Sequence, residues 1–101
     1  MAIVPEEIDR YAEEHTTPPT ELLAALAAET QATLRLPQML TGPVEGRLLE
    51  MLVYAGGARR VLEIGTYSGY ASLSMAAALP PGGRIDTCEI DERHEIGRAH
   101  V

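Results

Sequence analysis

Residues 61–76 read VLEIGTYSGYASLSMA, and this stretch decides the fold. Val61 to Ile64 is a short, mainly apolar run that stops at Gly65, as a buried strand does. Gly65 and Gly69 bracket a four-residue step, after which Tyr70 to Leu79 is rich in small residues and ends at Pro80-Pro81. Strand, glycine turn and helix are the expected order. Beyond the Gly82-Gly83 turn, Ile85 to Ile90 reads as a second strand. Val61 to Ile90 spans 30 positions, the size of one βαβ unit, so two parallel strands are predicted.

Three helices are expected upstream. Pro5, Glu6 and Glu7 open the first, with Ile8, Tyr11 and Ala12 on one face and a stop near His15. TTPPT (16–20) offers Thr17 as an N-cap and Pro18 in the first turn of a second helix, whose Leu22, Leu23, Leu26 and Leu34 form an apolar stripe. Pro37 breaks it. After the Gly42-Pro43 turn, Val44, Leu48, Met51, Leu52 and Ala55 recur at helical spacing until Gly56-Gly57. The organisation is a helical region (1–57) feeding the start of an α/β domain (58–94).

A glycine turn between a strand's carboxyl end and a helix start lets a ligand approach backbone N–H groups closely. Dinucleotide sites usually carry G-x-G-x-x-G there, whereas this turn has two glycines and an acid, Glu63, at the strand end. That acid disfavours a pyrophosphate and suits a cationic ligand end, such as the amino group and sulfonium of S-adenosylmethionine. Glu89 lies 20 positions beyond Gly69, where a carboxylate can accept from both hydroxyls of a ribose. Asp86 and Asp91 are neighbouring alternatives. Thr66 and Tyr67 sit inside the turn, and Tyr67 either lines a pocket or packs the loop.

The segment resembles motif I of the caffeoyl-CoA and catechol O-methyltransferase family, which reads like E-[IL]-G-x-x-x-G-Y-S. The resemblance covers about Ile8 to Arg93 and implies a class I methyltransferase, Rossmann-like α/β fold, cut short after three helices and the first βαβ unit. In that family a cofactor-contacting residue precedes the motif acid by 22 positions, here Thr41, and the ribose acid follows it by 26, here Glu89. Thr41, Glu63, Gly65, Thr66, Tyr67, Gly69, Ala71, Ser72 and Glu89 are thus the implied cofactor contacts. One departure stands out: the family's serine is Ala71 here, with Ser72 beside it. Backbone N–H groups at the helix start are expected to hold the cofactor's carboxylate instead.

The resemblance further implies S-adenosylmethionine as cofactor and a small phenolic or catechol-like methyl acceptor. It also implies a homodimer and a divalent metal whose ligands, like any catalytic base, lie beyond residue 101. The chain alone is expected to be inactive and only partly ordered, because two parallel strands cannot cover both their faces. Two alternative readings are a non-enzymatic helical interaction module built on Leu22 to Leu34, and a nucleotide-binding Rossmann domain.

Composition narrows the partners. Eight basic residues, all Arg, stand against fifteen acids for a formal charge of -7, which argues against a phosphate-tracking nucleic-acid surface. The chain has 101 residues and is 46% hydrophobic, enough for one small core. Nothing resembles a signal peptide or a membrane span, so no membrane partner and a cytoplasmic location are expected. The single Cys88 is expected to be a buried, inert strand thiol, and His15, His94 and His100 lack metal-ligand spacing. IGRAHV (96–101) matches the translation of a common sequencing adapter, so 95–101 is expected to be a non-native tail.

Overall fold

The computed structural model describes residues 3–34 and 39–91. Pro37, His94, His100 and the 95–101 tail lie outside them. In chain order the elements are α1 (Glu6–Glu14), α2 (Glu21–Thr33), α3 (Gly42–Gly56), β1 (Arg60–Ile64), α4 (Tyr70–Ala76) and β2 (Arg84–Cys88). The α/β class and the expected order of elements are observed.

β1 and β2 pair in parallel, with Arg60 opposite Arg84, Glu63 opposite Thr87 and Ile64 opposite Cys88. Successive side chains alternate between faces. Val61, Glu63 and Ile85 are half-buried, whereas Leu62 and Ile64 are 69% and 79% exposed. β2 ends at Cys88, two residues short of the predicted Ile90, and Cys88 is exposed rather than buried because the two-stranded sheet leaves its side chain uncovered. The Cys88 carbonyl accepts from Gly65 N at 2.8 Å and Thr66 N at 3.2 Å, so the turn closes over the strand end and finishes the pairing. α4 is also shorter than predicted. From Ala78 onward the bonds tighten to three-residue steps, Ala78 N to Met75 O at 3.1 Å and Leu79 N to Ala76 O at 3.2 Å. The residue before a proline avoids the α region, and Leu79 precedes Pro80.

The core forms where α2 meets α4. Leu23, Leu26 and Tyr70 are buried together, with Ala27, Leu40 and Leu73 packed around them. The N-cap of α2 is Thr20, not Thr17: its Oγ1 accepts from Leu23 N at 3.3 Å. Pro19 keeps Pro18 extended, so the helix starts only after the proline pair. Thr17 and Pro18 bind elsewhere, their carbonyls accepting from Arg47 Nε at 3.2 Å and Arg47 Nη2 at 2.5 Å. Arg47 Nη1 also reaches Glu50 at 2.8 Å, so this one residue ties the TTPPT segment to α3.

α3 buries a different line from the one its leucines suggest. Gly46 and Val53 are buried, while Leu48, Met51 and Leu52 are about half exposed or more. A Cβ at Gly46 would stand 2.9 Å from both Ser74 Oγ and Tyr70 Cε1, so the missing side chain lets α4 approach. The contact line therefore follows the glycine. α1 buries nothing: Ile8 and Tyr11 are exposed, and the Tyr11 ring stacks on His15 at 3.8 Å. Leu34 is the C-cap of α2 in extended conformation and leaves the predicted stripe.

Candidate cofactor site

The site is built on the turn from Gly65 to Gly69. Three residues of this turn, Gly65, Tyr67 and Gly69, have positive φ, at 97°, 51° and 93°. Glycine takes that region freely, whereas Tyr67 pays a steric cost and is held by bonds around it. Its N–H donates to Glu89 Oε1 at 2.7 Å. The other oxygen of Glu89 accepts from Asp91 N at 3.0 Å. Turn residues 65, 66 and 67 are thus each bonded to the end of β2. Tyr67 is buried rather than laid open in the turn, and burial raises its phenol pKa above 10.0. Burial likewise raises that of Tyr70, with the Arg47 charge opposing.

Glu63 faces the same side of the sheet as its strand partner Thr87. Its Oε1 accepts from Thr87 Oγ1 at 2.7 Å and from Ser72 Oγ. Thr66 Oγ1 lies 2.5 Å from Thr87 Oγ1. Glu63 Oε2 carries no hydrogen bond among the described residues, and no arginine among them pairs with Glu63. Two carboxylates therefore flank the turn, Glu63 at the end of β1 and Glu89 one residue past β2. This field repels a pyrophosphate and attracts a cation. Asp86, one of the alternatives to Glu89, is taken by Arg84 at 3.0 Å, and Asp91 contributes its backbone N–H to Glu89.

The remaining candidates fare differently. Ser72 is turned onto Glu63 and does not replace the hydroxyl absent at Ala71, which is half-buried. α4 has seven residues, and no side chain caps its start, where Gly69 stands in left-handed conformation. Thr41 is the N-cap of α3 in helical conformation, and its side chain makes no cap bond. It does not bond to the turn, although Leu40 beside it packs on the Tyr70 cluster. Thr87, Arg47 and the buried Ser68 escaped the sequence reading. Thr87 becomes visible only once the register is known, and Ser68 carries no periodic signal.

Among the described residues no three His, Cys, Asp or Glu are grouped to hold a metal. None of their helices is long and apolar enough to cross a membrane.

Parallel strands linked through a helix, with a glycine turn and two acids at their carboxyl ends, define a cofactor-binding α/β domain of the Rossmann-like class. The chain belongs to the O-methyltransferase family, which it matches over residues 13–101. It is 34% identical over 89 residues to the catechol O-methyltransferase of Niastella koreensis, covering 88% of this chain and 40% of that one. The O-methyltransferase TomG from Streptomyces achromogenes, solved with S-adenosylmethionine and involved in tomaymycin synthesis, superposes with a TM-score of 0.81 at 34% identity over 93% of this chain and 42% of its own. An O-methyltransferase from Bacillus cereus, solved with S-adenosylhomocysteine, gives 0.80 at 35% identity over 93% and 43%. The chain thus spans about 40% of the length of these relatives.

Proposed function

We propose that this chain supplies the S-adenosylmethionine-binding half of an O-methyltransferase that methylates a hydroxyl of a small phenolic or catechol-like acceptor. The observation that carries it is the placement of Glu63 and Glu89 on either side of the left-handed turn, with Tyr67 N held by Glu89 at 2.7 Å. When bound, the cofactor supplies a methyl group on a positively charged sulfur.

Glu63 stabilises the ligand's cationic end through its field. Glu89 accepts from the ribose hydroxyls while fixing the turn, and Gly65 and Gly69 allow the close approach that a Cβ would obstruct. Thr66 and Tyr67 hold the shape of the turn, and Tyr67 closes its buried side. A homodimer and a cytoplasmic location accompany this reading.

Thermal unfolding with S-adenosylhomocysteine or NAD tests it, because a ligand that binds only the folded chain raises the midpoint. A rise with S-adenosylhomocysteine and none with NAD is expected. The reverse pattern overturns the proposal in favour of a dinucleotide site.

A further inference from the structure

The bonds around Glu63 have a direction. An ionised carboxylate only accepts, so Ser72 and Thr87 each give their hydroxyl proton to Oε1. A threonine hydroxyl has one proton. Since Thr87 spends its proton on Glu63, the 2.5 Å contact with Thr66 is donated by Thr66 and accepted by Thr87. The result is a directed chain, Thr66 to Thr87 to Glu63, joined by Ser72 from α4. It links a residue inside the turn, a residue of β2 and a residue of α4 to a single carboxylate oxygen. Two donors saturate Oε1 and leave Oε2 as the open acceptor. Thr87 is Glu63's register partner, so the strand pairing itself sets this geometry.

We propose that Ser72 and Thr87 are positioning residues: they pin Glu63 so that Oε2 faces the ammonium group of the cofactor's amino-acid arm, and Thr87 holds Thr66 in the matching turn conformation. This rests on the cofactor reading above, in which the ligand's cationic end lies at Glu63. Without the hydroxyls, the carboxylate swings between rotamers and its charge is spread away from the ligand. Hydrogen bonds to ionised groups are among the stronger ones, so losing this alignment weakens the charged contact about tenfold.

The test uses the full chain and two probes, S-adenosylhomocysteine and 5′-methylthioadenosine, which shares the nucleoside but lacks the amino-acid arm. Binding is followed by amide chemical shifts. Thr87→Val and Ser72→Ala are expected to weaken S-adenosylhomocysteine about tenfold and leave 5′-methylthioadenosine unchanged, and Thr87→Ser is expected to restore wild-type affinity. Equal loss for both probes would mean general loosening and overturns the positioning role. A ligand-free readout accompanies it: the three-bond couplings of the Thr66 methyl report one rotamer in the wild type and averaging in Thr87→Val. A Thr66 that stays fixed in Thr87→Val overturns the relay whatever the ligands do. A wild-type chain that binds neither probe while Thr66 is fixed overturns the cofactor reading, and the positioning role with it. That outcome differs from failure of the relay alone.

Discussion

The glycine turn and the three leading helices obey different rules. Around the turn, conformation is dictated at close range: residues 65, 66 and 67 each bond to the 88–89 segment, and left-handed backbone falls on the glycines and on one tyrosine locked between them. In the helices, periodicity places apolar side chains on faces, but what a face meets is decided elsewhere. Leu26 is 0% exposed while Leu48 is 48% exposed, although both lie within helical apolar patterns. Spacing therefore specifies a turn more fully than it specifies a packing surface.

The sharpest break of this contrast compares those two leucines. Leu26→Ala is expected to destabilise the chain by about 2–5 kcal/mol, because it empties a filled site. Leu48→Ala should stay within about 0.5 kcal/mol. Denaturant titration followed by circular dichroism measures both, and similar losses would mean that the exposed face of α3 is covered in solution. Next in size is Gly46→Ala, expected to cost about 1–3 kcal/mol, because its Cβ meets Ser74 and Tyr70 at 2.9 Å. The same denaturant titration applies, and a neutral result would put the α3–α4 contact elsewhere.

Smaller again is Thr20→Ala, at about 1 kcal/mol for a lost N-cap bond. Thr17→Ala is the control, since the Thr17 side chain caps nothing, and equal costs would restore Thr17 as the cap. The last concerns pH. Burial raises the Tyr67 phenol pKa above 10.0, so its contribution to stability is complete below pH 10 and is lost as pH rises through the folded value. Ultraviolet titration should show a late-ionising fraction of the tyrosine absorbance, which Tyr67→Phe reduces and whose remainder belongs to Tyr70; an unchanged late fraction in Tyr67→Phe would contradict the burial of its phenol.

The βαβ order was legible because local chemistry marks it: an apolar run, glycines at strand and helix ends, and a proline pair. Glu63 and Glu89 were legible from their positions around the turn and from family spacing. Thr87's part was hidden because it depends on register, which pairs it with Glu63 across the sheet. Ser72's was hidden because it is a through-space contact from α4. The burial line of α3 departs from its leucine pattern because a glycine, invisible to a hydrophobic pattern, sets the closest approach. The cap of α2 falls at Thr20 rather than Thr17 because Pro19 restricts Pro18 to extended backbone, which a composition pattern does not show.

The central claim is that Glu63 and Glu89 make the turn a half-site for S-adenosylmethionine, and the measurement that meets it most directly is an amide-shift titration of the chain with S-adenosylhomocysteine, wild type against Glu89→Ala. The account predicts wild-type shifts concentrated at residues 65–70 and 87–91, absent from α1, and an affinity lower by about 1–3 kcal/mol in the variant, since the ribose hydroxyls lose a charged acceptor. Equal affinity in the two proteins, or shifts confined to the leading helices, would contradict it.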